Sequence, residues 1–184
     1  MNARYQAQFA KPLVNQLIAI LQRDQQAALD IVNATRPPGR ELKPFVAFYK
    51  EAGTVQNWPA LVLIAQETAF DAASDADLRT QTARFLCAMA ITGTDPDWLA
   101  EDAMDYLRVV DMLLTSAPLA DFYTPLTIDH RTVPDGQTTG LDADVSKVQD
   151  LRVVRHDLGI LVARRGGGLA RGPQIEFVVE LEER

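Results

Sequence analysis

The sequence predicts an α+β fold in which a mixed, mainly antiparallel sheet packs against two amphipathic helices, with extended loops between the elements. Two stretches carry apolar residues at three- and four-residue steps, the spacing of a helix with one buried face. Several shorter stretches alternate or are uniformly apolar, as strands are. With 184 residues, 47% of them hydrophobic, the chain is long enough for one core and is predicted to form a single domain over residues 1–184.

The first predicted helix covers residues 11–32, with Pro12 in its first turn, where the missing N–H costs no hydrogen bond. Its buried stripe is predicted to comprise Leu13, Leu17, Ile20, Ala27 and Ile31. Two prolines and a glycine within residues 35–39 end this helix. Residues 33–57 are then predicted to form an extended, basic connection with one helical turn at most.

Two strands are predicted next, at residues 58–67 and 82–92, as antiparallel neighbours joined by a long acidic loop over residues 68–80. The first is a nearly unbroken apolar run that begins around Pro59, where a lost N–H donor is tolerated. The second alternates, which predicts that one of its faces is buried. That face comprises Ala83, Phe85, Cys87, Met89 and Ile91.

The second predicted helix covers residues 94–116. Thr94 or Asp95 can cap it, and Pro96 suits its first turn. Its predicted buried stripe comprises Leu99, Ala103, Tyr106, Val110 and Leu113. The opposite face carries Glu101, Asp105, Arg108 and Asp111.

The C-terminal part is predicted to begin with an extended loop, residues 117–147, which contains a short strand at 126–133. Three further strands are predicted at residues 148–157, 158–165 and 173–183. The last of these alternates, with Ile175, Phe177, Val179 and Leu181 on one face.

The formal net charge is -7, which argues against a dedicated nucleic-acid binder. The charge is unevenly distributed: residues 1–50 hold seven Lys/Arg against three Asp/Glu, and residues 51–115 hold three against eleven. Such a distribution suits a subunit that meets complementary neighbours, and it also suits an ordinary solvated surface. Cys87 is the single cysteine, so no internal disulfide is expected. No apolar run approaches the roughly 18 residues that span a bilayer, so a soluble protein in a reducing compartment is expected.

The stretch RRGGGLARG, residues 164–172, resembles a phosphate-binding loop at first sight. It lacks the lysine and hydroxyl of a P-loop, its glycine spacing differs from the dinucleotide fingerprint, and a strand rather than a helix follows. It is therefore predicted to be a long β-hairpin loop. Its arginines either stay solvated or contact a neighbour or DNA.

No arrangement of residues predicts catalysis, a cofactor or a metal. His130 and His156 each have an adjacent aspartate, but neighbours on a strand point to opposite faces. Cys87 is predicted to be a small core residue rather than a nucleophile. The acidic residues Asp71, Asp75 and Asp77 lack the central glycine and terminal glutamate of a calcium loop. The protein is therefore predicted not to be an enzyme.

The order of elements does suggest a family. A helix is followed by a strand that opens with Trp-Pro-Ala-Leu-Val at 58–62, an acidic loop, a second strand and the helix DPDWLAEDAMDYLRVVDMLL at 95–114. The chain then ends in strands that finish with QIEFVVELEE at 174–183. Over residues 10–115 and 148–182 this order resembles the tail terminator, or tail completion, proteins of long-tailed bacteriophages and related minor tail proteins. Segments 33–57 and 116–147 depart from a minimal member of that family.

The resemblance implies a virion protein of the tail or neck that assembles in the host cytoplasm. It implies a homo-oligomeric ring, usually a hexamer, that ends the tail tube and joins it to the head–tail connector. The two departures leave open a head-side connector or another neck protein. The family has no catalytic residues. If the ring encloses a DNA channel, Arg164, Arg165 and Arg171 would face the phosphates without sequence specificity, or would instead grip a neighbouring subunit.

Two alternatives belong to other classes of protein. One is a small α+β enzyme or ligand-binding protein whose cleft is lined by loop 68–80 and the glycine stretch. The other is a nucleic-acid-binding module that uses the basic N-terminal segment and the same glycine stretch.

Overall fold

A computed structural model describes residues 3–51, 53–70, 79–115, 127–129, 145–164 and 167–183. The α+β prediction is confirmed, since these ranges contain two helices and eight strands in one mixed, mainly antiparallel sheet. The elements are α1 (Ala3–Asn33), β1 (Ala47–Tyr49), β2 (Ala60–Phe70), β3 (Arg79–Gly93), α2 (Pro96–Thr115), β4 (Thr127–Asp129), β5 (Val145–Asp157), β6 (Leu161–Ala163), β7 (Leu169–Arg171) and β8 (Gln174–Glu183). Within the described residues, neither helix combines the length and apolar character needed to cross a membrane.

The main path of the sheet runs β1-β2-β3-β8-β5-β4, and only the β1–β2 pair is parallel. The antiparallel pairing of the second and third strands is confirmed, with Leu63 opposite Cys87. Strand β3 pairs first with β8 and then, from Ile91 to Gly93, with β7. Strand β6 pairs with β7 as β5 pairs with β8. Residues 145–164 and 167–183 therefore form one long, bent ribbon, in which β5 and β6 make up one arm and β7 and β8 the antiparallel arm.

Helix α1 begins earlier than predicted, so Pro12 lies within the helix rather than in its first turn. Residues 3–10 are mostly alanine, glutamine and arginine, which favour helix and extend it N-terminally. The predicted stripe was also wrong in part: Ile20 is half-buried, and Ala27 and Ile31 are exposed. The buried side chains are Leu13, Val14, Leu17, Ile18, Leu21, Ala28, Leu29 and Val32. After Leu17 the buried face continues at the four-residue step, because a helical turn of 3.6 residues permits either step and packing selects one.

The core lies between the helices and one face of the sheet. The predicted face of β3 is confirmed, since Ala83, Phe85, Cys87, Met89 and Ile91 are all buried. Phe85 stacks on Phe177 of β8 with ring centroids 5.3 Å apart. The acidic loop is shorter than predicted, because β2 continues to Phe70 and β3 begins at Arg79. Asp71, Asp75 and Asp77 lie outside the described residues.

Helix α2 follows its prediction closely. Asp95 is the cap, since its Oδ1 accepts hydrogen bonds from the backbone N–H groups of Asp97 (2.9 Å) and Trp98 (3.0 Å). The predicted stripe is buried in full, from Leu99 to Leu113. The hydroxyl of Tyr106 donates a hydrogen bond of 2.7 Å to the carbonyl of Lys43, which ties the helix to the preceding basic connection.

That connection is more ordered than the predicted loop over 33–57, and it contains the strand β1 instead of a helical turn. Side-chain amides of α1 replace regular secondary structure as hydrogen-bond partners for its backbone. Asn33 bonds both the N–H (2.8 Å) and the carbonyl (3.1 Å) of Leu42, and Gln25 does the same for Phe45 (2.8 and 3.5 Å). The connection is thereby held against α1 and α2.

The C-terminal strands differ from prediction at two points. The predicted strand 158–165 reduces to β6, because the chain bends at residues 158–160. A further strand, β7, lies inside the predicted glycine loop. The short strand predicted at 126–133 is present as β4 at residues 127–129. His130 and most of the predicted loop 117–147 lie outside the described residues.

Candidate functional site

The glycine stretch forms the loop of a β-hairpin, as predicted, although its second strand is β7 rather than the long strand β8. The loop is closed by two backbone hydrogen bonds, from the N–H of Arg164 to the carbonyl of Gly168 (3.1 Å) and from the N–H of Gly167 to the carbonyl of Arg164 (3.2 Å). Gly167 and Gly168 have φ angles of 95° and 84°, which favour glycine. Beyond the loop come β7 and β8, so no helix N-terminus is available to receive a phosphate.

The base of the hairpin is bent at a close backbone approach. Gly159 has a φ of 68°, and a Cβ at this position would lie 2.2 Å from the carbonyl oxygen of Gly172. The N–H of Gly159 also donates to Oδ1 of Asp157 at 2.8 Å. Only glycine fits here, so this contact fixes the bend between β5 and β6.

The tip of the hairpin rests on the body of the protein. The guanidinium of Arg164 lies over the ring of Trp58, 5.1 Å from the centroid, which is a cation–π contact. A Cβ on Gly168 would lie 3.4 Å from the carbonyl oxygen of Gly93, at the end of β3. The contacts with Trp58 and Gly93 therefore hold the hairpin in a defined position against the rest of the protein.

The arginines of the hairpin lack acidic partners among the described residues. Six other arginines, Arg23, Arg36, Arg40, Arg84, Arg152 and Arg155, form salt bridges within the described ranges. No salt bridge in those ranges includes Arg164 or Arg171, and the Nε of Arg171 is buried without a hydrogen-bond partner there. Arg171 lies opposite the buried Ile91 in the sheet, so its side chain is on the helix-covered face. Arg165 lies outside the described residues.

Four apolar side chains next to the tip are exposed to solvent: Leu158, Ile160, Leu161 and Val162. We refer to these four as the β6 edge. Ile160 is 79% exposed, the highest value among the large apolar residues described. Within the described chain, β6 pairs with β7 on one side and has no strand on the other.

The neighbouring strand β5 is protected against pairing with another chain, whereas β6 is not. Strand β5 is interrupted by register shifts between Val148 and Asp150 and between Val153 and Arg155. It also presents two exposed arginines, Arg152 and Arg155. Bulges and charges are the usual means by which proteins block an open sheet edge. The β6 edge has neither a bulge nor a charge, so it is the part of this edge best suited to contact another protein.

A second cluster of charges lies between the basic connection and α2. The guanidinium of Arg36 donates hydrogen bonds to Asp102 and Asp105, and its side chain is only 7% exposed. Burial alone would lower the pKa of Arg36, but the hydrogen bonds and charges of the two carboxylates outweigh it and raise the pKa. We call this cluster of Arg36, Asp102 and Asp105 the clamp. It gives one of the basic residues of the N-terminal segment an acidic partner inside the same chain.

A partly open cavity of about 320 Å³ lies beside the clamp, lined by Thr35, Arg36, Pro37, Arg40, Glu101, Met104 and Asp105. Arg40 stacks on the exposed ring of Trp98 at 3.9 Å. Its Nη2 is 3.6 Å from Glu101 and 3.8 Å from Asp102, too far for a hydrogen bond. No local sequence pattern indicates this cavity, because it joins residues more than sixty positions apart.

The remaining candidates do not assemble a reactive site in the described residues. The Nε2 of His156 is 3.4 Å from Oδ1 of Asp111 on α2, so its nearby carboxylate is not that of the adjacent Asp157. Cys87 is buried, and burial raises its pKa to about 12, which keeps the thiol protonated and unreactive at neutral pH. Among the described residues, no group of three or more His, Cys, Asp or Glu side chains is placed to hold a metal ion.

Comparison of the sequence with protein-family models and with curated proteins finds no match.

Proposed function

We propose that this chain is a structural protein of the phage tail or neck, which assembles into a ring that ends the tail tube and joins it to the head connector. The observation that carries the assembly is the exposed β6 edge. The phage assignment rests on the order of elements, which includes a helix, two antiparallel strands, a second helix and a strand-rich C-terminal part. The protein acts through its surfaces and catalyses no reaction.

The composition of the β6 edge supports burial in an assembly. Residues 158–163 read LGILVA, a pattern that is apolar on both faces and is typical of strands covered on both sides. In the single chain these apolar side chains are exposed instead. Burying a Leu, Ile or Val side chain stabilises a protein by about 1.5–3 kcal/mol, so covering this edge would contribute several kcal/mol to association.

The same surface favours a protein neighbour over DNA. A DNA-binding surface is polar and strongly positive, whereas the arginines of the hairpin stand beside four exposed apolar side chains. The net charge of -7 also opposes approach to a polyanion. Arg164, which is exposed, is therefore assigned to a carboxylate of a neighbouring subunit rather than to phosphates in a channel.

The ligand-binding alternative gains no support from the cavity beside the clamp. Its volume of about 320 Å³ suits a small molecule. Its lining is dominated by the charged side chains of Arg36, Arg40, Glu101 and Asp105, with Pro37 and Met104 as its apolar members. A small-molecule site is usually mostly apolar with a few polar groups.

A pair of matched substitutions tests the proposal. Ile160→Lys places a charge on the β6 edge, whereas Val46→Lys places the same charge at another exposed position, 60% exposed. Ile160→Lys is expected to raise the subunit concentration at half-assembly by at least about tenfold, or about 1.4 kcal/mol, while Val46→Lys leaves it unchanged. Sedimentation velocity measures both, and thermal unfolding verifies that both variants fold. Equal assembly by the two variants would contradict the role of the β6 edge.

A further inference from the structure

The exposed large apolar side chains of the described residues gather mainly in two places. One is the outer edge of the bent ribbon, with the β6 edge and Val154. The other is the outer face of α2, where Trp98 and Met104 are each 52% exposed. Glu101 lies between Trp98 and Met104 on α2, and its side chain is 64% exposed. We call Trp98, Glu101 and Met104 the α2 ridge. Tryptophan and methionine are enriched where proteins contact one another.

The salt-bridge network beside the α2 ridge contains more carboxylates than guanidinium groups. Three carboxylates, Glu101, Asp102 and Asp105, face two guanidinium groups, Arg36 and Arg40. Arg36 donates hydrogen bonds to Asp102 and Asp105. Glu101 accepts no hydrogen bond from any described residue, and its salt-bridge partner Arg40 is 3.6 Å away. The cavity beside Glu101 has room for one more long side chain. A third cation would match the three carboxylates.

The β6–β7 hairpin has the complementary properties. Arg164 is exposed at its tip and forms no salt bridge within the described residues, and the β6 edge beside it is apolar. Other exposed arginines of the sheet are already paired, since Arg84 lies 3.3 Å from Glu176 and Arg155 lies 3.0 Å from Asp157. An arginine flanked by apolar side chains is complementary to a carboxylate flanked by apolar side chains, which is what the α2 ridge offers.

We infer that the β6–β7 hairpin of one copy docks on the α2 ridge of a second copy, with Arg164 entering the cavity beside Glu101. The inference rests on the proposed assembly and names its contact. The β6 edge packs against Trp98 and Met104 of the second copy. Because hairpin and ridge are different surfaces, the contact is head-to-tail and leaves each open chain of subunits with one free hairpin and one free ridge until a ring closes.

A charge exchange tests the contact. Arg164→Glu and Glu101→Arg are each expected to raise the concentration at half-assembly by at least about tenfold, and the double variant is expected to return to within about threefold of the unmodified protein. Lys50→Glu is the control, because Lys50 is exposed directly after β1, outside both surfaces, and its substitution changes the net charge as Arg164→Glu does. Recovery in the double variant supports the contact. Single variants that behave like the control, or a double variant no better than either single, overturn it.

Disulfide trapping gives an independent measurement that does not depend on restoring a charge pair. Two single variants, Ile160→Cys and Trp98→Cys, are mixed and oxidised, and mixed disulfides between them are expected to exceed like-with-like disulfides several-fold. The buried Cys87 does not compete, since it has no exposed surface. Absence of the mixed product in protein that still assembles overturns this contact but leaves the proposed ring intact. A protein that remains monomeric at every concentration overturns the proposed function as well.

Discussion

The clamp and the β6–β7 hairpin are both built on arginines, but they differ in where those arginines find partners. In the clamp, Arg36 is almost fully buried and bonds two carboxylates of the same chain. In the hairpin, Arg164 lies over an aromatic ring without a carboxylate, and the Nε of Arg171 is buried without a partner in the described residues. The charge of Arg36 is satisfied within the chain, whereas the exposed guanidinium of Arg164 lies on the surface assigned to assembly.

The two regions also differ in how their apolar surroundings are used. Beside the clamp, Tyr106 and Phe45 pack with ring centroids 5.1 Å apart inside the core. Beside the hairpin, the apolar side chains of the β6 edge face solvent. A single subunit therefore buries the aromatic side chains beside the clamp and leaves the apolar side chains beside the hairpin exposed. Changes at the clamp are expected to reduce folding stability, and changes at the hairpin to reduce assembly.

Breaking the clamp is expected to have the largest effect on stability. Arg36→Met leaves Asp105 without a cation and Asp102 with only Arg40, at 3.8 Å, and the expected loss in the free energy of unfolding is about 3 kcal/mol. The control is Arg23→Met, which removes an exposed arginine at a salt bridge and is expected to cost less than about 1 kcal/mol. Urea unfolding below the assembly concentration measures both. Equal losses would mean that the clamp does not hold the connection to α2.

Breaking the bend of the hairpin is expected to have an intermediate effect. Gly159→Ala forces a Cβ against the carbonyl of Gly172, and the expected loss of stability is about 2 kcal/mol together with impaired assembly. Gly167→Ala is the matched control, because Gly167 also has a positive φ but no atom within 4 Å of the place where a Cβ would stand. Its backbone strain alone is expected to cost about 1 kcal/mol. Thermal unfolding and sedimentation distinguish the two, and indistinguishable variants would show that the close approach is unimportant.

The contact between the hairpin tip and the body is expected to have the smallest effect. A double-mutant cycle with Arg164→Gln and Trp58→Leu is expected to give a coupling free energy of about 0.5–1 kcal/mol, typical of an exposed cation–π pair. Urea unfolding of the four proteins measures it. A coupling near zero would mean that the tip is positioned by its backbone contacts at Gly93 alone.

Helix α2 and strand β3 could be predicted nearly in full from the sequence. Their apolar residues recur with the period of one buried face, and Asp95 and Pro96 mark the start of the helix. In α1 the same periodicity favoured Ile20 rather than Leu21, because both fit a helical stripe and only packing separates them. Strand β1 was missed because three residues carry no measurable period and their pairing partner lies in β2.

The candidate surface could be predicted only in part. The hairpin loop followed from its glycines, and Arg164 and Arg171 lie in that hairpin as the sequence suggested. The exposure of the β6 edge could not be predicted, because an apolar run such as LGILVA is usually buried and its exposure depends on the whole sheet. The clamp could not be predicted from the sequence either, because Arg36 and Asp105 are 69 positions apart and no local pattern links them.

The mass of the assembled protein tests the central claim most directly. Sedimentation velocity of the unmodified chain over a range of concentrations, with electron microscopy of the largest species, reports whether copies of the chain associate and whether the assembly is a closed ring. We predict a single closed species that is a fixed multiple of the 20.3 kDa subunit and appears as rings. A chain that remains a monomer at every concentration, and forms no rings on tail tubes, would contradict the proposed assembly.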